Sequence, residues 1–400
     1  MRILAITYGT EGDTRPLAAL CRALIAAGHD THLLADAATL DAARSLDVPA
    51  TALAGDIRDT IAREGAMRKI ERALVGLVNA HSPEWLRLAV AQGAGCDAVL
   101  VSGLTAFVGL SAAEALGVPA IGAMMIPITP TAVFPSPLLP FAPPRAFNRA
   151  SHHLVNGLVW RTFRRTTNRA RAAVGLPPRQ ALWTTHPVLY GVSPALLPPT
   201  PDWPANTHAC GQWTVASGAW TPPAALLDFL DAGEPPVYVG FGSMAGFDHA
   251  RVVQAVVEAV GGRRALFNAG WTGIDAGALP ANFHPVGNVP HDWLFPRMSL
   301  VVHHGGSGTT HSACRAGVPS VIVPFAGDQF FWAARLRETG IARHRLAGKS
   351  LTGRQLGEAL AFAQSHAARD NAKRLGERMR GEDGTSTAVA LIERIVRGPG

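Results

Sequence analysis

One pattern, used twice, constrains this chain more than any other feature. DAVLVSGLTAFVGLSAAEALGVPAIG (97–122) and MSLVVHHGGSGTTHSACRAGVPSVIV (298–323) share a layout: apolar run, small-residue turn, helical stretch, Gly-Val-Pro, apolar run. The apolar runs are short and lack polar alternation, as strands buried on both faces do. In the second copy Gly317 caps the helix and Pro319 forbids its continuation. Repeated βα units predict parallel sheets with helices on both faces.

Each half also opens alike. MRILAITYG reads as a strand and GTEGDTRP as a turn. A helix follows with Leu17, Leu20, Cys21, Leu24 and Ile25 on one face, closed by Gly28. PPVYVGFGSMAGFDHARVVQAVVEAVGG (235–262) repeats strand, glycine turn and helix, with Val253, Val256, Val257 and Val260 on one face. Between the halves, residues 195–223 are rich in proline and poor in periodicity, as a connection between domains would be. The expected fold is α/β, with two doubly wound domains facing each other across a cleft. The glycine turns would line that cleft, beyond the carboxyl ends of the strands.

Bulk properties narrow the function classes. A hydrophobic content of 48% supplies sizeable cores, and a charged content of 16% argues against disorder. The net charge of +7 comes almost wholly from arginine, since Lys69, Lys349 and Lys373 are the only lysines. The charge forms no tight block and no nucleic-acid motif is visible, so nucleic acid is not expected as a partner. Cys21, Cys96, Cys210 and Cys314 lie far apart with no C-x-x-C, which suits buried thiols in a reducing compartment. No signal peptide is read at the start. The apolar stretch 98–113 falls short of the roughly 20 residues a spanning helix needs. These features predict a cytoplasmic protein.

HHGGSGTT (303–310) places a glycine turn between strand and helix, an arrangement that aims free backbone N–H groups at an anion. His303 and His304 point to opposite faces of the strand, so at most one faces the cleft. GFGSMA (240–245) fits a loose dinucleotide fingerprint, but RALFNAG (264–270) lacks the acid that would hold a ribose. A nicotinamide dehydrogenase is therefore disfavoured. No D-x-D occurs, so no metal site is expected, and a diphosphate would have to be neutralised by amides and side-chain donors.

The stretch 289–340, VPHDWLFPRMSLVVHHGGSGTTHSACRAGVPSVIVPFAGDQFFWAARLRETG, strongly resembles the donor-binding signature of family 1 glycosyltransferases. GTEGDTRPL, PITPTAVFPSP (127–137), LYGVSPALLPPTPDW (189–203) and VGFGSMAG (239–246) extend the likeness to nearly the whole chain. It is nearest to the bacterial and fungal sterol and natural-product glucosyltransferases, and somewhat further from the glycopeptide-antibiotic enzymes. The resemblance implies two Rossmann-like domains of the GT-B kind: an acceptor domain over 1–205, a linker over 206–222 and a donor domain over 223–384. Residues 385–400 would form a helix packing back on the first domain. It also implies a metal-independent, inverting transfer with a UDP-sugar or dTDP-sugar as co-substrate and no further cofactor.

By position, the resemblance implies that His304 binds phosphate, cradled with the amides of Gly306, Ser307, Gly308 and Thr309. Ser243 joins from the early turn. Asp328 and Gln329 hold sugar hydroxyls, and backbone groups at Val289 and Pro290 meet the base. Plant members have a stacking tryptophan where this chain has Asn288, so Trp271 is a candidate substitute. They also have a ribose-binding glutamate where this chain has Ser312. The base position falls on Asp13. The aspartate that orients a histidine base in plant members is replaced by Ser102. Asp13 could alternatively serve only as an N-cap, and at its reference pKa of about 3.9 it would be a weak base.

AMMIPITPTAVFPSPLLPFAPP (123–144) is apolar, proline-rich and irregular. It reads either as a packed surface loop or as part of a greasy acceptor pocket, with Met124, Met125, Phe134 and Phe141 as contacts. The acceptor would be a lipophilic alcohol or phenol. No acidic residue occurs from Ala115 to Pro201, while Arg161, Arg164, Arg165, Arg169 and Arg171 accompany Trp160 and Phe163 on a helical stretch. That helix is either a solvated basic face or a peripheral membrane contact. The protein would be a monomer or homodimer. A nucleotide-sugar epimerase and a non-catalytic nucleotide-sugar binder are the alternatives.

Overall fold

The computed structural model describes all residues except 65–66, 198–199, 216–219, 243, 245–246, 271–278 and 399–400. The first lobe runs β1 (Arg2–Ile6), α1 (Glu11–Ala26), β2 (Asp30–Asp36), α2 (Asp41–Arg44), β3 (Ala50–Leu53), α3 (Ile57–Ala62) and α4 (Met67–Gln92). It continues with β4 (Ala98–Val101), α5 (Ala106–Leu116), β5 (Ala120–Met124), α6 (Asn148–Ala172), β6 (Val188–Tyr190) and β7 (Thr207–Ala209). The second lobe runs α7 (Ala224–Asp231), β8 (Val237–Gly240), α8 (His249–Val260), β9 (Ala265–Asn268), β10 (Phe283–Pro285), α9 (His291–Leu294) and β11 (Leu300–His303). Then come α10 (Ser307–Ala316), β12 (Ser320–Ile322), α11 (Gln329–Glu338), α12 (Gly353–Ala363), α13 (His366–Arg380) and α14 (Gly384–Arg397).

Among the described residues the strands form two all-parallel sheets, ordered β3-β2-β1-β4-β5-β6-β7 and β10-β9-β8-β11-β12. Both orders reverse at one pair: β1 beside β4, and β8 beside β11. A crevice opens where neighbouring connections leave on opposite faces, so each sheet offers a ligand site at that point. The segments after β1 and β4, and those after β8 and β11, lie at these two points.

Two expectations are corrected. The segment GTEGDTRP is not a turn: α1 already starts at Glu11. The Thr10 hydroxyl caps it, and Asp13, three residues on, accepts from the Thr10 amide at 3.0 Å. This is a reciprocal capping box with aspartate in place of the usual Glu or Gln. Thr10, not Asp13, is the N-cap. The first sheet also extends into the expected linker, since Thr207–Ala209 pairs with Val188–Tyr190.

The last helix, α14, buries Ala388, Val389, Leu391 and Ile392 in the same cluster as Leu17, Leu20 and Leu24 of α1. A buried valine, leucine or isoleucine side chain contributes about 1.5–3 kcal/mol, so the chain's end fastens onto the first lobe. A second shared cluster sets Phe134, Tyr190, Val192 and Leu196 against Phe331, Trp332, Leu336 and Met379 of the second lobe. Polar contacts flank it: Arg335 Nη2 donates to the Leu196 carbonyl at 2.9 Å, and Ser193 Oγ to Glu382 Oε1 at 2.7 Å. The four cysteines are free and buried. No helix among the described residues is long and apolar enough to cross a membrane.

Candidate active site

A cleft of about 2400 Å³ lies between the lobes, lined by the segments that follow β1, β4, β8 and β11. The two histidines after β11 divide as strand geometry requires. His303 is fully buried beside Gly240, and its Nδ1 accepts from the Gly305 amide at 3.1 Å. His304 faces the cleft. Gly305 makes the sharp exit at φ +98°, where a Cβ would also stand 2.5 Å from Ile322 Cγ2.

Glycines on both sides hold the His304 ring. A Cβ on Gly242 would lie 2.9 Å from its Cε1, and one on Gly306 would lie 2.6 Å from its Nε2. Burial lowers the His304 pKa to about 4, so the imidazole is neutral. Its Nδ1 is buried without a hydrogen-bond partner. Gly306 is the N-cap of α10 and supplies no side-chain cap. The first-turn amides at Ser307, Gly308 and Thr309 therefore open, with the positive end of the helix dipole, onto the cleft.

Asp328 stands at the same end, its Oδ2 accepting from Trp332 Nε1 at 2.7 Å. Burial raises its pKa to about 6, and the Trp332 hydrogen bond works against the rise. His311 stands edge-on to Trp332 at 5.0 Å and bonds through Nδ1 to the Ser307 carbonyl at 2.7 Å. Trp332 and His311 thus link Asp328 to the first turn of α10. The sequence reading missed both, although Trp332 lies one helical turn beyond Asp328. Gln329 lines the cleft, but its Oε1 already accepts from the amides of Phe325 and Ala326 at 2.7 and 3.1 Å. Its first duty is therefore to fix the loop that presents Asp328.

Val289 and Pro290 line the cleft beside Asn288, as does Trp220, which shares an apolar cluster with Val289 and Trp293. Trp220 is an aromatic surface that the sequence reading did not single out, because it sits in a segment without periodicity. The expected sites Trp271 and Ser243 lie outside the described residues. Ser312 Oγ accepts from Gln212 Nε2 at 3.1 Å, joining the lobes at the cleft.

Across the cleft stands Asp13. Its Oδ2 is held by the Thr10 amide, and a Cβ on Gly9 would come within 2.1 Å of that oxygen, so only glycine admits the approach. Burial raises the Asp13 pKa to about 7; the Thr10 amide lowers it and the charge on Asp328 raises it. A carboxylate tuned to neutrality is a far better base than one at 3.9, which revises the expectation of a weak base. The walls around it are apolar, with Ile61, Leu74, Phe107, Met124, Met125 and Leu138 among them. Phe134 and Phe141 are corrected as acceptor contacts. Phe134 is buried between the lobes, its ring 5.3 Å from Phe331, and Phe141 is 64% exposed on the outer surface. Among the described residues no His, Cys, Asp and Glu group could hold a metal ion.

Residues 267–393 match the family model of the erythromycin biosynthesis protein CIII-like C-terminal domain. O-mycaminosyltylonolide 6-deoxyallosyltransferase of Streptomyces fradiae is 35% identical, over 98% of this chain and 97% of its own length. Sterol 3-beta-glucosyltransferase of Candida albicans is 32% identical over 98% of this chain, which spans only 27% of that protein; for the Eremothecium gossypii enzyme the figures are 34%, 97% and 33%. This chain thus spans about a quarter to a third of those fungal relatives. In fold it is similar to the kitacinnamycin glycotransferase, with a TM-score of 0.74 at 21% identity and 99% of both chains covered. It is also similar to the glycosyltransferase VinC solved with dTDP, with a TM-score of 0.67 at 20% identity and both chains fully covered.

Proposed function

This chain belongs to the family 1 glycosyltransferases, and from that premise we propose that it moves a sugar from a nucleoside diphosphate onto a hydroxyl of a lipophilic acceptor. The donor is a UDP-hexose, UDP-glucose foremost, with a dTDP-sugar as the second candidate. The acceptor is a sterol, a macrolide or polyketide, or a phenol. The sterol and tylonolide relatives support that range, and so does the apolar wall around Asp13. With free buried cysteines, the reaction is assigned to the reducing cytoplasm.

One juxtaposition carries the reading: Asp13 and the His304–α10 cradle open onto the same cleft from opposite lobes. In the proposed step the acceptor oxygen attacks the anomeric carbon while its proton passes to Asp13 Oδ1. The bond from that carbon to the phosphate oxygen breaks, and its electron pair leaves with the diphosphate. The His304 ring and the amides of Ser307, Gly308 and Thr309 receive the charge, with the helix dipole behind them. Attack from the side opposite the leaving group inverts the anomeric configuration. Asp328 accepts from sugar hydroxyls. Ser312 reaches the ribose, and Trp220 offers its ring to the base. No divalent ion is needed in this scheme. An epimerase would have no use for the apolar cavity beside Asp13.

The test is direct. The purified chain is incubated with UDP-glucose or dTDP-glucose and a panel of sterols, macrolide aglycones and phenols. Products are read by mass spectrometry and the anomeric configuration by NMR. Glycoside with inverted configuration supports the reading; nucleotide binding without any transfer across the panel would favour a binding protein.

A further inference from the structure

The helix α6 has two faces with different obligations. His153, Asn156, Val159 and Phe163 line the cleft. The opposite face is exposed among the described residues. At about 100° per residue, Leu154, Leu158, Arg161, Arg165 and Arg169 fall on one stripe, spaced as i, i+4, i+7, i+11 and i+15. Leu154 is 61% and Leu158 55% exposed, and the three arginines are exposed too. Just ahead of the helix, Phe147 is 59% and Phe141 64% exposed. The leading loop is fixed to the same helix: Asn148 Nδ2 donates to the Ala132 carbonyl at 3.0 Å, and Asn156 Nδ2 to that of Ile128 at 3.1 Å. The outward surface is therefore a preformed strip, greasy at one end and basic at the other.

Charge identifies the partner. No acidic residue occurs from Ala115 to Pro201. Nearby acids are already engaged, Glu114 by Arg171 and Arg179, and Asp202 by Arg149. Arg161, Arg164, Arg165 and Arg169 have no ion-pair partner among the described residues. A solvated basic face would account for the arginines, but not for four large apolar side chains exposed beside them. Nucleic acid would meet the arginines and leave the leucines wet. We propose that this face of α6, with Phe141 and Phe147, docks on an anionic phospholipid bilayer. The leucines and phenylalanines sink into the headgroup boundary, and the guanidinium groups meet lipid phosphates. If the cavity takes lipophilic acceptors, docking sets the helix that lines it against the layer where they dissolve. That consequence rests on the proposed transfer activity; the docking itself does not.

The experiment uses the full chain with two vesicle types, phosphatidylcholine alone and phosphatidylcholine mixed with phosphatidylglycerol, read by co-sedimentation. Retention is expected only on the anionic vesicles, weakening as salt rises. The variant R161Q/R165Q/R169Q should partition on the order of a hundredfold less. L154Q/L158Q should also be released. Circular dichroism and melting should match wild type in both, since the replaced side chains are exposed, and UDP binding by calorimetry should be equal across all three proteins. Absent UDP binding in every protein would count against the proposed donor site while leaving the vesicle result intact. Wild type that ignores anionic vesicles, or variants that bind them as well as wild type, would overturn the proposal. So would self-association lost in L154Q/L158Q without vesicle binding, which would make this face a contact between copies.

Discussion

Burial lifts the Asp13 carboxyl towards neutrality, and Asp328, facing it from the other lobe, adds its negative charge to that rise. In the proposed mechanism a pKa of about 7 sets the acid limb of the rate profile. kcat/KM is expected to climb with pH through that value and then level. Replacing Asp328 by Asn removes the charge while keeping a polar group of equal size. The limb should move to lower pH in D328N, whatever the variant loses in amplitude. A pH–rate series on both proteins checks this; an unmoved limb would mean that the two carboxyl groups do not act on one another.

The same carboxyl costs stability. Unfolded, Asp13 ionises near 3.8; folded, near 7. Between those values the folded chain holds a proton that the unfolded chain has lost, so stability falls as pH rises through the window. D13N escapes the penalty and can still accept from the Thr10 amide. It should therefore melt higher than wild type at pH 8, by an amount on the order of 2 kcal/mol, with the gain vanishing near pH 4. Turnover should be lost at every pH, by roughly 10²–10⁴. Melting curves at two pH values with parallel assays read both effects.

Adjacent glycines should respond in opposite ways. At Gly306 an added Cβ meets only the Nε2 end of the His304 ring, 2.6 Å away. The ring can swing aside at little cost to folding, but it then leaves the phosphate position. G306A should keep nearly the wild-type melting temperature and lose about 10²–10³ in kcat. At Gly305 the Cβ would meet the packed Ile322, and the backbone sits at φ +98°. G305A should cost about 1–3 kcal/mol in stability. Similar melting losses in both would show that the glycines serve only the turn.

Much of this was legible in the sequence, for identifiable reasons. Parallel strands buried on both faces read as short apolar runs, and the Gly-Val-Pro after each helix marked the repeat, so both lobes and the cleft could be expected. The strand period alone sets His303 and His304 on opposite faces. What escaped depends on tertiary surroundings. Trp332 and His311 become a link between Asp328 and Ser307 only when α10 and α11 pack together. Phe134 looks like any loop aromatic until the second lobe covers it. The exit of β1 was read as a turn because Thr10-x-x-Asp13 departs from the usual capping-box residues. The pKa of Asp13 could not be foreseen, since it reflects burial by both lobes.

Chelators should leave turnover unchanged. A diphosphate leaving group needs its charge met, and enzymes that use a divalent ion hold it with closely placed carboxylates. The acids on this cleft are not so arranged. Asp13 and Asp328 are both lifted towards protonation by burial, which weakens them as metal ligands. Asp202 is already engaged by Arg149, Thr131 and the Ala132 amide. The alternative electrophile is the group of α10 amides with His304. Its donors are neutral, so they need no counter-ion when the cleft is empty. Turnover measured in EDTA, and again with added magnesium, is therefore expected to agree within error. Loss of activity in EDTA that magnesium restores would place the leaving-group chemistry on an ion and strip the cradle of its assigned role.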